Sequence, residues 1–470
     1  MPTESHRIPR LVIAAPQGRS GKTTTALGLC AALRLRGLRV QPFKKGPDYI
    51  DASWLSEAAG QACRSLDPFF YETPKSLREA FLQPARQAGL SLIEGNHGLF
   101  DSFDAEGSGS TAAVARILKA PILLVVNTVR TGRSAAAIVL GCQNFEPDTP
   151  IAGVILNNVA QSRHEGRLRS AIEAHCGIPV VGALPREAAL TIPDRHLGLV
   201  PRSEEEGYVP AIEACRQAAE KYLNLEVILE IASSAPELSE EILENKPESE
   251  PQPPKTRIGI LRDRAFTFYY PENLEALQSA GAELVPINAF EDRKLPPVDA
   301  LYLGGGFPEV FMEKLSANVA LRMAIRYAAE AGLPMYAECG GMMYLARRIH
   351  WGERSAEMAG VLPCEIEMTD RPQGHGYVSL RVDGENPFFP IGSVLRGHEF
   401  HNSRLIPSTE AGLTTAYSLQ RGRGVGGGRD GLVYKNVLAC YTHLHVGGAE
   451  DWARRLVERA RLQHEEGARP

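Results

Sequence analysis

The chain has no apolar run that could cross a bilayer: its longest stretches, such as residues 121–126, fall far short of the roughly 20 residues a spanning helix needs. It has no C-x-x-C pair either. Its eight cysteines stand apart at positions 30, 63, 142, 176, 215, 339, 364 and 440, which argues against a disulfide scaffold or a structural zinc site. Basic residues are not in excess: 51 Lys and Arg against 56 Asp and Glu leave a net charge of −5. A globally basic nucleic-acid binder is thereby excluded. The first ten residues lack an apolar signal core, because the apolar run around Ile13 reads as a folded strand. These absences together predict a reduced, cytoplasmic protein with neither a membrane nor a nucleic acid as partner.

What is present is ordinary globular material, 44% hydrophobic and 23% charged over 470 residues, enough for two large domains. Residues 10–15 form a short β-branched run, followed by a Gly-rich turn and a helical pattern through Leu38. Further buried-strand candidates are 91–94, 121–127, 151–157 and 179–183, separated by amphipathic helical segments. Strands alternating with helices predict a parallel α/β sheet. Residues 236–254 then bring five prolines and six glutamates with one lysine, too polar to bury a core. The alternation restarts at 257–261, 284–286, 300–303 and 334–337. The expected fold class is therefore α/β with two parallel-sheet domains, 8–230 and 256–465, joined by an acidic Pro-rich linker at 231–255.

Two places carry chemistry. Residues 14–25 read A-A-P-Q-G-R-S-G-K-T-T-T between a strand and a helix, where backbone N–H groups and a helix N-terminus hold phosphate. Gly21 admits close backbone approach, Lys22 supplies charge to the β/γ oxygens, and Thr23 offers a hydroxyl to Mg²⁺. Pro16 stands where the strict pattern wants Gly. Asp48, in K-K-G-P-D-Y-I-D, and Glu94, in E-G-N-H-G-L-F-D, fall at strand ends on the same expected sheet edge. Carboxylates there suit Mg²⁺ beside a nucleotide phosphate. Asn157, ending a strand, fits either an adenine edge or a turn.

The second place is residues 334–345, P-M-Y-A-E-C-G-G-M-M-Y-L. Cys339 sits at a strand-to-helix turn, a nucleophile elbow whose helix N-terminus is expected to favour thiolate. His443, in L-A-C-Y-T-H-L-H-V, is the base that could activate it, and G-G-G-F-P-E at 304–309 offers N–H groups to an oxyanion. Taken alone, Cys339 would read as a small buried hydrophobe. Cys440 reads as core.

Together these motifs, with G-V-I-L-N at 153–157, R-H-L-G-L at 195–199 and G-H-E-F-H at 397–401, resemble the cobyrinic acid a,c-diamide synthase family. The likeness covers nearly the whole chain outside the linker. It implies an N-terminal P-loop domain of the dethiobiotin-synthetase type and a C-terminal class I glutamine amidotransferase domain, flavodoxin-like in fold. By motif it implies Cys339 as nucleophile and His443 as its base, with Gly305, Gly306, Gly340 and Glu399 at the oxyanion and glutamine. Gly18, Ser20, Gly21, Lys22, Thr23, Thr24 and Asn157 would hold ATP; Thr23, Asp48 and Glu94 would hold Mg²⁺. Lys45, Asp48, Tyr49, His97 and Asp101 would meet the substrate. The partners implied are ATP as co-substrate, L-glutamine and a tetrapyrrole polycarboxylate; a homodimer is left open.

The chain departs from the family pattern in places. Gly18-Arg19 replaces the usual Ser-Gly pair, His97 stands where Met is common, and Lys45 replaces a small or apolar residue. Most amidotransferases place Glu two residues after the catalytic His; here that residue is His445. The third member of the Cys–His site therefore stays open. So does the tetrapyrrole, with sirohaem and nickel sirohydrochlorin beside cobyrinate. A cobyric acid or cell-wall type amidotransferase and a nucleotide-dependent scaffold are the alternatives.

Overall fold

The computed structural model describes residues 5–6, 8–190, 194–195, 198–199, 208–239, 256–407 and 413–467. They fall into two compact units, residues 1–247 and 248–470. In the first, seven strands are β1 (Arg10–Ala14), β2 (Val40–Lys44), β3 (Arg64–Ser65), β4 (Leu90–Glu94), β5 (Ile122–Asn127), β6 (Ile151–Val159) and β7 (Val180–Pro185). They pair in the order β3-β2-β4-β1-β5-β6-β7, every pair parallel. β1, β2 and β4 are buried at every position, as strands covered on both faces must be. That is why β1 and β4 stand out as mainly apolar runs, whereas β2, which carries Gln41 and Lys44, was not anticipated. Val12, Phe43, Ile93, Leu124 and Leu156 form the centre of one core, each large side chain worth roughly 1.5–3 kcal/mol when removed from water.

Two helices bring the phosphate region to the sheet's C-terminal edge. Helix α1 (Lys22–Leu35) leaves β1 through residues 15–21 and ends three residues short of the expected Leu38, where Gly37 at φ 85° turns the chain. Helix α2 (Tyr49–Ala59) starts at Asp48, whose Oδ1 accepts from the N–H groups of Ile50 and Asp51, both at 2.9 Å. The first unit also runs past the expected start of the linker. A helix spans Leu225–Ser233, and Leu238 is buried in the same core. The rest of the predicted linker, 240–255, lies outside the described residues. Of R-H-L-G-L, Arg195 pairs with Gly198 in a two-residue antiparallel ladder, while His196 and Leu197 lie outside the described residues.

In the second unit a parallel half is built from β8 (Thr256–Leu261), β9 (Ala282–Ile287), β10 (Ala300–Leu303), β11 (Met335–Glu338) and β16 (Val437–Cys440), in the order β9-β8-β10-β11-β16. The sheet then continues antiparallel through β15 (Arg429–Tyr434), β14 (Thr414–Arg421), β12 (Gly374–Val382), β13 (Val394–His401) and β17 (His443–Leu444). This antiparallel extension was not anticipated. Its strands are half polar, with alternating burial in β12, and carry none of the apolar runs that betray a parallel strand. Cys440 is fully buried, as expected. No described helix is long and apolar enough to cross a membrane.

Candidate active site

In the first unit, residues 16–21 bend so that α1 begins without a side-chain cap: Gly21 is the N-cap at φ 96° and has no cap hydrogen bond. A Cβ there would lie 2.0 Å from Asn157 Nδ2. Asn157 is committed to the loop itself, its Nδ2 donating to the Ser20 carbonyl at 2.9 Å. Through that bond it pins the loop. Ser20 and Thr24 also spend their hydroxyls on backbone, on the carbonyls of Gln17 (2.9 Å) and Leu190 (3.3 Å). Arg19, in place of the family's glycine, takes φ 56°, a left-handed conformation that costs an L-residue about 1–2 kcal/mol. Nothing lies within 4 Å of a Cβ on Gly18.

Lys22 is nearly buried, and its Nζ donates to the His97 carbonyl at 2.6 Å. Burial and the neighbouring Lys44 ammonium pull its pKa down to about 8. Thr23 donates its hydroxyl to Glu94 Oε1 at 2.6 Å, and Glu94 Oε2 is buried without a hydrogen-bond partner. Burial pushes the Glu94 carboxyl up while Lys44, 3.2 Å from Oε1, opposes it. Lys44 is itself buried and also bonds Asp51 Oδ2 at 2.6 Å. Burial alone would lower its pKa, but Asp51 and Glu94 outweigh it and keep the ammonium charged. Sequence reading chose Lys45 and missed Lys44 and Asp51. The sequence offered little signal between the two lysines, since both are buried at the end of β2.

An oxygen donor set of a hydroxyl and a carboxylate with an orphaned buried oxygen suits a hard divalent cation that completes its shell with phosphates and water. Asp48 fits less directly, one oxygen being the cap of α2; burial and the Asp51 charge raise its pKa. Among the described residues no group of three or more His, Cys, Asp or Glu could hold a metal alone.

The loop after β4 places His97 at φ 49° with an exposed side chain. Partial desolvation by the surrounding loop, then the Lys45 charge, lowers its pKa. Lys45 is 3% exposed. Asp101, expected at the substrate, accepts the Gly98 N–H at 2.7 Å and closes the turn under His97. Tyr49 opens α2 beside Asp48.

In the second unit, β11 ends at Glu338, Cys339 takes φ 44° and ψ −102°, and a short helix α3 (Gly340–Leu345) follows. This is the expected elbow, with a strained residue at its apex. The surroundings work against the expected thiolate: burial pushes the Cys339 thiol up, the Glu309 carboxylate adds to it, and the Gly340 N–H opposes both.

The loop at 304–306 lies against both catalytic candidates. A Cβ on Gly305 would meet His443 Cε1 at 2.4 Å, and one on Gly340 would meet Gly306 N at 2.9 Å. Gly306, at φ 153°, sits so near Ala265 that a Cβ would come within 1.9 Å of its carbonyl. Gly304 is not an oxyanion donor here, because its N–H is taken by the Tyr269 hydroxyl at 2.9 Å.

Glu399, expected at the glutamine, accepts from the N–H groups of Arg423 (2.6 Å) and Gly424 (2.8 Å) and faces His401. It is a strut between β13 and the 422–428 turn. The residue of G-H-E-F-H that reaches the site is His398, its ring stacked on His443 at 4.9 Å and 17°. Two-residue alternation along β13 separates them. Asp430 holds the approach to His443, accepting from Tyr441 N, Thr442 N and the Thr442 hydroxyl.

Known proteins match both units. Residues 257–451 match the CobB/CobQ-like glutamine amidotransferase domain family, and residues 11–200 match the CobQ/CobB/MinD/ParA nucleotide binding domain family. The chain is 47% identical to the cobyrinate a,c-diamide synthase of Magnetococcus marinus, over 98% of this chain and 99% of that one. It is 42% identical to the enzyme of that name from Archaeoglobus fulgidus, over 96% and 98%. With the one from Methanosarcina acetivorans it shares 39%, over 97% and 96%.

Proposed function

The chain belongs to the cobyrinate a,c-diamide synthase family, ATP-dependent carbon–nitrogen ligases with glutamine as nitrogen donor, and from that membership we propose that it amidates the a and c side-chain carboxylates of cobyrinate through acyl phosphates. What supports the reading is an uncapped phosphate loop with Lys22, Thr23 and Glu94 at one sheet edge, and a cysteine elbow at residue 339 with a 304–306 loop packed against both Gly340 and His443.

In the amidotransferase unit, the Cys339 sulfur gives its proton to His443 and attacks the glutamine amide carbon. The N–H groups of Gly305, Gly306 and Gly340 are the candidate donors to the oxyanion that forms. The proton returns through His443 to the leaving nitrogen, ammonia departs, and water releases glutamate from the thioester. In the P-loop unit a substrate carboxylate oxygen attacks the γ-phosphorus of ATP and ADP leaves. Ammonia then adds to the acyl carbon and expels phosphate. A carboxylate is a poor acyl donor, so the phosphoryl group must precede the nitrogen. Lys22 draws off charge as that group moves. Thr23 and Glu94, with Asp48, would hold Mg²⁺, which supplies neutralisation of the β- and γ-phosphate charge.

Mass spectrometry of products from metal-free, cobalt, nickel and iron tetrapyrroles incubated with ATP, Mg²⁺ and glutamine tests the substrate. A product of two added amides on the cobalt corrinoid is expected; preference for an iron or nickel tetrapyrrole would move the assignment to the sirohaem or nickel sirohydrochlorin branch.

Selection of the tetrapyrrole is assigned in part to the 94–101 loop. His97 presents an exposed imidazole near the Lys45 charge, and imidazole ligates cobalt and iron where a thioether does so weakly. The other reading of His97 is a hydrogen bond to a propionate or to the loop backbone. A titration of metallated and metal-free tetrapyrroles against the wild type and His97→Met separates the two, since ligation requires a metal-dependent spectral shift that the substitution removes. Identical spectra for both proteins would reduce His97 to a hydrogen-bonding loop residue.

A further inference from the structure

His445 occupies the position of the usual amidotransferase carboxylate, and it cannot serve. It is fully buried, its Nδ1 accepts from Gly447 N at 3.0 Å, and its ring packs edge-on against Tyr270 at 4.7 Å. Burial drives its pKa down to about 3, so it carries no charge at neutral pH. A carboxylate does approach His443, but from another element. Glu338, the last residue of β11 and the neighbour of the thiol, places Oε2 3.8 Å from His443 Nδ1.

We propose that Glu338 is the positioning residue for His443, supplying from the nucleophile's own strand the negative charge that the His445 position lacks. The inference rests on the assignment of Cys339 and His443 as nucleophile and base. Glu338 is completely buried and held at both oxygens: Oε1 accepts the Leu444 N–H at 3.0 Å, and Oε2 accepts the Tyr302 hydroxyl at 3.0 Å. Through Leu444 it fixes the backbone next to the base. Through Oε2 it faces Nδ1, which favours the tautomer with the proton on Nδ1 and the lone pair on Nε2. When the proton passes from Sγ to Nε2, the imidazolium forms beside a charge already in place; no other bond changes in that step.

The other ionisable groups around the pair do not provide this. His398, stacked on His443, is held neutral by burial. Glu309, Glu338 and Asp430 all oppose ionisation of the thiol; of these Glu338 faces His443 Nδ1, and the role proposed for it requires that its hold on the imidazolium outweigh its repulsion of the thiolate. His445 is neutral, and Tyr302 is kept protonated by burial and by Glu338 itself.

The test is the pH dependence of Cys339 alkylation by iodoacetamide, followed on the Cys339 peptide by mass spectrometry, together with glutamine hydrolysis. Glu338→Gln keeps the shape and the hydrogen-bonding capacity and removes only the charge. Its alkylation midpoint is expected to rise by about 1 pH unit or more, with kcat for hydrolysis falling about 100-fold or more and KM little changed. Tyr302→Phe releases Oε2 toward Nδ1 and is expected to shift the midpoint the opposite way. If Glu338→Gln leaves both readouts at wild-type values while Cys339→Ala abolishes hydrolysis, the inference is overturned and the Cys–His assignment stands. If hydrolysis survives Cys339→Ala, the assignment itself has failed. Should circular dichroism show Glu338→Gln unfolded, Tyr302→Phe decides: a downward shift sustains the role, and an unchanged or raised midpoint overturns it.

Discussion

Glutamine-dependent amidation is expected to fall by about 10³-fold or more in Cys339→Ala, while amidation driven by added ammonium salt continues near the wild-type rate. The expectation follows from the division of the chemistry. The thiol is fixed at the turn between β11 and α3, entirely within residues 248–470. The phosphate loop and its carboxylates belong to residues 1–247. Alanine at 339 removes the nucleophile without touching the groups that activate the carboxylate. Steady-state assays with each nitrogen source, on protein whose circular dichroism matches the wild type, check it. Equal loss of both activities would show that the two functions are not separable in this way.

Lys22→Ala is expected to remove amidation with either nitrogen source, by on the order of 10²–10³-fold, because no acyl phosphate then forms. Glutamine hydrolysis should persist, uncoupled from product. The same side chain predicts a pH dependence. Its pKa is lowered to about 8, so the ammonium is present below that value and lost as pH rises through it. The wild-type kcat/KM for ATP should therefore decline above about pH 8, and the alanine variant should lack that limb. Ammonia-dependent synthesis at a normal rate in Lys22→Ala would move the phosphate site away from residues 16–23.

The parallel cores were legible because a strand covered on both faces must be apolar throughout. Residues 300–303 were placed to the residue, and β1, β4, β5 and β8 within one or two positions. The antiparallel half was not, since its strands are partly solvated and end in glycine-rich turns such as 422–428. For the sites, motif spacing reported which residues sit on the right turns but not which protein partners their polar atoms take. Asn157, Ser20 and Asp101 lie where expected but spend their polar atoms on the loops that carry the site. Glu399 and His398 are adjacent in sequence and diverge by strand alternation. Glu338 was hidden for the opposite reason. It is a carboxylate in an apolar strand, 105 positions before His443 in the chain, and only the closing of β11 onto β16 and the turn into β17 bring the two together.

The backbone at residue 339 carries a further consequence. Alanine ordinarily outranks glycine in folded stability by roughly 0.5–1 kcal/mol, because glycine loses more freedom on ordering. At φ 44° and ψ −102° that ranking should invert, since any side chain there bears a strain of order 1–3 kcal/mol that glycine escapes. The protein would then fold more readily with its nucleophile deleted altogether than with the β-carbon retained. Folding alone would not choose a side chain at this position. The sulfur is held at a point where the polypeptide resists any β-carbon.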